Sequence, residues 1–300
     1  MESIERKKPL FSQEKIKRAQ ELIMPYSEYI KLDPKPHFPD HYYIEGKNKK
    51  ILFYQVRHSH DPEDILFQEI PKLMQEFKPS KVFVERQGWL NHIETMPEEE
   101  FLQRKEIIEK RTDGDVIKNG GEPGFAIKKA LEMGLKFNDI ISPEKQLQDT
   151  VHLVKNYSYS PTDVFFYEVL LALGSTAYSG NNIMTEEELG RICDKFSKVF
   201  KIENSDIVSF FKQNYEKFLL EKFDLHKPCN HYRKYTTPLP NKDGSFGYFN
   251  KLANISSRFR DETIIEKIVE VLEKNDKLMI VYGGSHGTVQ KPALEYLLHE

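Results

Sequence analysis

Two histidines and a glutamate in this sequence stand where short apolar runs give way to polar residues, and their types suit metal-assisted or general-base chemistry. His286 follows Leu278-Met279-Ile280-Val281-Tyr282 within Gly283-Gly284-Ser285-His286-Gly287. His60 follows Ile51-Leu52-Phe53-Tyr54-Gln55-Val56 within Arg57-His58-Ser59-His60-Asp61-Pro62. Glu85 closes Val82-Phe83-Val84. A carboxylate at the end of a buried strand is costly unless it is paired, hydrogen-bonded or bound to a metal. Two imidazoles and one carboxylate form a ligand set for a catalytic divalent ion that keeps positions open for water. The expectation is that His60, Glu85 and His286 hold manganese, cobalt, zinc or iron, with His60 and His286 facing each other across a crevice. Taken singly, a strand-end histidine is more often a loop hydrogen-bonder and a glutamate more often a salt-bridge partner. Three at equivalent strand ends argue for a site.

The elements that must position them read as α/β. The runs at 51–56, 81–86, 135–141 and 277–283 have the continuous apolar character of strands covered on both faces. Helical spacing follows at 62–77, 122–133 and 288–298, so a mostly parallel central sheet flanked by helices is expected. Ligands in such sheets bind beyond the carboxyl ends of the strands. Residues 42–45, the turn-like Gly46-Lys47-Asn48-Lys49 and 51–56 read as a β-hairpin. Ser12 caps an amphipathic helix expected over 12–30, and a Pro-rich stretch follows. Thr95-Met96-Pro97-Glu98 has a capping-box pattern, and 113–121, with three glycines, reads as a loop. From 150 to 224 three helical segments follow without a strand, an all-helical insertion, and 226–248 reads as a long loop of the kind that forms lids. The expected divisions are 1–40, an N-terminal helix and linker; 41–149, the first part of the core; 150–249, the insertion and loop; and 250–300, the last part of the core.

Further residues could join the chemistry. His58 lies two positions from His60, so on an extended segment it points the same way and could be a second ligand, a general base or a surface residue. Stepping back four residues from Ile264 on an apolar helix stripe reaches Arg260, which should point inward, and the same step from Ala126 reaches Glu122. Glu122 and Asp261 could equally be first-turn acids that favour the helix dipole. His231, Tyr232 and Arg233 could close over a substrate from the long loop, and Trp89 reads as packing. Motifs of P-loop, zincin and serine-hydrolase type are absent from the sequence.

Composition narrows the partners. The chain has 300 residues, 39% hydrophobic and 30% charged, with a net charge of −3, which gives no electrostatic case for nucleic acid. Two cysteines, Cys193 and Cys229, lack metal-ligand spacing and suggest a reducing interior. No apolar window approaches the roughly 18 residues of a membrane span, and the N-terminus has no signal core. A cytoplasmic protein acting on a peptide or small molecule is expected, with no membrane or nucleic-acid partner and a homodimer left open.

Gly283-Gly284-Ser285-His286 after a buried strand, preceded by a helix expected over 258–274 and opening with Arg260-Asp261, resembles the TraB/PrgY, GumN and Tiki family. That family also has an early Gly-x-x-His, a glutamate ending the next strand and an acidic residue opening a helix. The counterparts here are Arg57-His58-Ser59-His60, with Arg57 replacing the glycine, then Glu85 and Glu122. The likeness covers about 50–142 and 250–298. His60-Asp61-Pro62 also looks like the related ChaN and erythromycin esterase group, with His58 in place of that group's glutamate. The resemblance implies a sheet with inverted halves and, for Tiki members, metal-dependent peptide hydrolysis. The expectation adopted is a metal-dependent hydrolase of amide or ester bonds, with Glu122 as ligand or general base and Arg260 stabilising the oxyanion. Two alternatives come with it: a ChaN-like protein holding haem or another ligand, and a metal-free esterase.

Overall fold

The computed structural model describes residues 9–85, 98–136, 140–141, 156–157, 159–176, 184–240 and 245–300. In chain order the elements are α1 (Gln13–Glu21), α2 (Tyr26–Tyr29), β1 (Asp40–Gly46), β2 (Lys49–Val56), α3 (Leu66–Phe77), β3 (Lys81–Val84), α4 (Glu98–Lys110), α5 (Asp113–Glu132) and β4 (Ile140–Ile141). Then come α6 (Pro161–Thr176), α7 (Glu186–Phe200), α8 (Ile207–Leu219), α9 (Asn230–Thr236), α10 (Tyr248–Lys274), β5 (Lys277–Gly283) and α11 (Gly284–His299). They fall into two units, one within Met1–Glu144 and Asp261–Glu300 and the other within Lys145–Arg260. The division falls inside α10.

The first unit is α/β. Its sheet has the order β1-β2-β5-β3-β4. β1 runs antiparallel to β2, and the other pairings are parallel. The last strand of the chain thus lies between β2 and β3 and pairs with both. Both faces of the central strands are buried. Leu52, Tyr54, Val56, Val82, Val84, Met279 and Val281 pack with Ile70, Met74, Ala126 and Ala130 of α3 and α5. Alternate residues point to the opposite face, where Phe53 and Gln55 meet α11 at Gly287. This double coverage is why these strands read as continuous apolar runs.

Local chemistry sets the connections. Lys47 and Asn48 have φ of 52° and 61°, as a two-residue hairpin turn requires. A Cβ on Gly46 would lie 2.2 Å from the Leu298 carbonyl oxygen, so glycine lets the C-terminal helix approach the hairpin. Gly46→Ala is expected to cost about 1–3 kcal/mol through overpacking, read as a lower urea midpoint at unchanged slope.

Several helices differ from expectation. The N-terminal helix is interrupted before Pro25, which lacks an N–H and disfavours helical backbone at the residue before it; Ser12 does cap α1, accepting from Lys15 N at 3.2 Å. Residues 113–121 are helical, not a loop. Thr112 caps α5 by accepting from Asp115 N, and the helix kinks at Gly121, with φ 55° and ψ −155°, before Glu122. Thr95, Met96, Pro97 and Trp89 lie outside the described residues, as do 137–139 of the expected strand, of which Ile140–Ile141 is paired with β3.

The described elements of the second unit are all helices. Thr185 forms the capping box of α7, and Phe166 stacks on Phe211 with ring centroids 5.2 Å apart. The expected loop over 226–248 contains α9, because Tyr232 is drawn into the aromatic core and its hydroxyl donates to the Asp224 carbonyl at 2.7 Å. His231 donates to Glu221 at 2.8 Å. Burial opposes the Glu221 charge, but hydrogen bonds from His231, Tyr215 and Tyr235 outweigh it and hold the carboxyl at about 2. Cys193 and Cys229 are buried thiols, not a disulfide, and burial pushes Cys193 up to about 12. No helix among the described residues is long and apolar enough to cross a membrane.

Candidate functional site

The strand order brings three chemically capable ends together. Val56 of β2 is in register with Gly283 of β5, and Val84 of β3 with Val281. The chain therefore leaves β2 towards His58, β3 towards Glu85 and β5 towards His286 at one edge of the sheet, with β5 in the middle. A Cβ built on Gly283 would meet Glu85 Oε2 at 3.1 Å, His286 Cδ2 at 3.6 Å and His58 Nε2 at 3.8 Å. Glycine keeps that corner open. The Gly283 N–H also donates to Glu85 Oε2 at 3.0 Å, which holds the carboxylate in place.

His58 is bracketed by carboxylates. Its Nδ1 lies 2.5 Å from Glu122 Oε1, and its Nε2 lies 3.7 Å from Glu85 Oε2. Glu122 is 2% exposed and also accepts from the Ser59 N–H at 3.2 Å. The kink at Gly121 is what lets α5 present Glu122 here: its positive φ ends the first helical stretch, and Pro123 suits the start of the next. So close a carboxylate places the hydrogen on Nδ1 and leaves Nε2 as the basic nitrogen facing Glu85.

His286 has the same arrangement built from different elements. Its Nδ1 donates to Asp261 Oδ1 at 2.7 Å, with the Tyr26 oxygen 3.1 Å away. The Tyr26 hydroxyl donates to Asp261 Oδ2 at 3.1 Å, and Gln290 Nε2 donates to Asp261 Oδ1 at 2.6 Å. Asp261 is fully buried and His286 is 6% exposed. Here too Nδ1 carries the hydrogen and Nε2 is the basic atom. Gln55, the one amide in the β2 run, donates to the Gly284 carbonyl at 3.0 Å and to Thr288 Oγ1 at 2.8 Å, fixing the turn that carries His286.

Thus the structure brings His58, Glu85, Glu122 and His286 together. His60 lies against the first stretch of α5, with Nδ1 3.1 Å from the carbonyls of Ile117 and Lys118 and its ring beside Gly121. His58 and His60 both lie against α5, His58 on Glu122 and His60 beside Gly121, but His58 is the one that also faces Glu85. Asp261 lies well inside α10 and is a buried acceptor, not a cap or first-turn acid. Arg260 belongs to the second unit, where its positive charge acts on the buried Tyr167 hydroxyl. Tyr26, Gln55 and Gln290 went unnoticed in the sequence. A polar residue inside an apolar run could have flagged Gln55, but nothing local marks Tyr26.

The donors fit a divalent ion in type and tautomer. With bonds of about 2.1 Å, two ligands 3.7 Å apart subtend roughly 120° at one ion, and histidine ligands commonly donate the other ring N–H to a carboxylate. Among the described residues no three His, Cys, Asp or Glu side chains already converge as a complete metal set. No family model matches the chain, and no curated protein or solved structure does either.

Proposed function

We propose that this protein is a hydrolase of amide or ester bonds that works with a divalent metal ion at the His58–Glu85–His286 corner. The observation that carries the reading is the pair of imidazoles whose Nδ1 atoms each face a buried carboxylate, with a third carboxylate between them at Gly283. His58 Nε2 and Glu85 Oε2 stand 3.7 Å apart with the His286 ring at the same glycine, and such a pair of donors attracts a cation. His58 Nε2 and Glu85 Oε2 would hold the ion, with His286 as the further nitrogen donor, so that His58 takes the part expected of His60. A divalent ion there supplies polarisation of the scissile carbonyl and acidification of a water.

The chain's own residues do the rest. Glu122 fixes the His58 ring and its tautomer, and Ser59 N–H steadies Glu122. Asp261 and Tyr26 do the same for His286. Glu85, held by Gly283 N–H, stands 3.7 Å from His58 Nε2 and can pass a proton between water and leaving group. The substrate in this reading is a peptide or small ester.

A second reading has a specific basis. His58, flanked by Glu122 and Glu85, could take a proton from water without a metal, in the manner of a carboxylate-oriented base. Both are tested on purified protein reconstituted with manganese, cobalt, zinc or iron, by elemental analysis and hydrolysis of peptide and ester panels with and without chelator. Near-stoichiometric metal and chelator-sensitive turnover are expected. Turnover that survives chelation selects the metal-free reading, and absence of both metal and turnover overturns the hydrolase.

A further inference from the structure

β1 is the end strand of the sheet, and its outer edge carries a self-complementary pattern. The two-residue turn makes Gly46 and Lys49 a hydrogen-bonded pair, so Ile44 and Tyr42 also direct their backbone groups to β2. His41, Tyr43 and Glu45 then direct theirs outward. Among the described residues these outward groups make one hydrogen bond, a local one from the His41 N–H to its neighbour Asp40 Oδ1 at 2.8 Å. The side chains of all three are exposed, Tyr43 at 48%, and they share one face, where the His41 and Tyr43 rings meet edge to face at 5.6 Å. An open edge of this kind is a template for another strand.

We infer that this edge pairs with β1 of a second copy of the chain, antiparallel and centred on Tyr43, extending the sheet through a two-fold axis. Centring on Tyr43 sets Tyr43 against Tyr43 and His41 against Glu45, and all three outward residues find hydrogen-bonded partners. On the other face Tyr42 falls opposite Ile44. Centring on Ile44 or on Tyr42 instead sets Tyr43 against Glu45 or His41 against Tyr43 and leaves one of the three outward residues unpaired, and centring on Glu45 sets Glu45 against Glu45, a like-charge pair that is destabilising. Centring on His41 sets His41 against His41 and leaves Glu45 outside the ladder. Only the register centred on Tyr43 pairs all three outward residues and sets His41 against Glu45, and this self-complementarity of the edge is the argument for a second copy as its occupant. The ion pair of Glu45 with Lys50 is exposed and weak, so it does not hold Glu45 back. A two-fold contact of one strand per subunit buries a modest area, and a reversible dimer follows.

The test is register-specific and uses the full chain. Tyr43→Cys places two cysteines across the axis, where Cα atoms of a hydrogen-bonded pair stand about 5.5 Å apart, inside the roughly 4.4–6.8 Å range of a disulfide. Mild oxidation should yield a covalent dimer on a non-reducing gel. Glu45→Cys alone should not crosslink, and His41→Cys/Glu45→Cys together should. Cys193 and Cys229 are buried and should not contribute. Sedimentation of the unmodified chain should show concentration-dependent dimer, and Tyr43→Pro, which removes an outward N–H at an edge where proline is tolerated, should be monomeric with an unchanged circular dichroism spectrum. A monomeric unmodified chain, a Tyr43→Cys protein that stays uncrosslinked, or a Tyr43→Pro protein that still dimerises overturns the proposal.

Discussion

His58→Gln is expected to lower kcat/KM by about 10²–10⁴, the range of a lost acid or base, while the protein stays folded. Glutamine is the informative replacement. Glu122 is 2% exposed and accepts from His58 Nδ1, so alanine would leave a buried carboxylate with only the Ser59 N–H, and breaking a buried pair from one side costs about 3–5 kcal/mol. The glutamine amide can still donate to Glu122 but offers no basic nitrogen to Glu85, an ion or a water. His60→Ala is the comparison: His60 Nδ1 lies against two backbone carbonyls, and its loss should leave kcat/KM within about threefold, well under the 10²-fold of a lost base. Steady-state hydrolysis of the best substrate from the peptide and ester panel decides it. A dead His60 variant beside an active His58 variant would reverse the assignment.

Asp261 should give the largest stability effect at the site. It is fully buried and accepts from His286, Gln290 and Tyr26, so Asp261→Ala strips three buried donors of their acceptor at about 1–3 kcal/mol each. A loss of about 3–5 kcal/mol in urea unfolding is expected, a large share of the roughly 5–15 kcal/mol that holds a protein folded. Asp261→Asn separates folding from chemistry. An asparagine amide can turn its N–H₂ towards His286 Nδ1, which then accepts and moves the ring hydrogen to Nε2. The basic nitrogen would be lost from the Gly283 corner with the shape intact. A carboxylate-to-amide change of this kind in serine proteases, which places the histidine in the wrong tautomer, lowers kcat by about 10⁴, and a fall of that order in kcat with little change in urea midpoint is the expected signature. Full activity in Asp261→Asn would show that the His286 tautomer is irrelevant to turnover.

The sequence by itself determined what depends on neighbours along the chain. Continuous apolar runs at 51–56 and 278–282 can only be satisfied by cover on both faces, and that made the parallel sheet legible. Lys47-Asn48 after Gly46 marked the hairpin. Glu85 and His286 could be singled out because a polar side chain at the end of such a run needs a partner. Proline and glycine misled where one reading competed with another: Pro25 splits a helix that periodicity alone would continue, and Gly120-Gly121 suggested a loop where the cap at Thr112 nucleates helix up to the kink. Tertiary structure decided everything that depends on residues far apart in the chain. Placing β5 between β2 and β3 is a choice among strand orders that local pattern leaves equivalent, and it is what sets His58, Glu85 and His286 around one glycine. Whether His58 or His60 turned to that corner depended on Glu122 arriving from a kinked helix. Tyr26 and Asp261 reach His286 from elements about 260 and 25 positions away, because a buried imidazole takes whichever acceptors the packed chain brings to its Nδ1, and no spacing in the sequence records them.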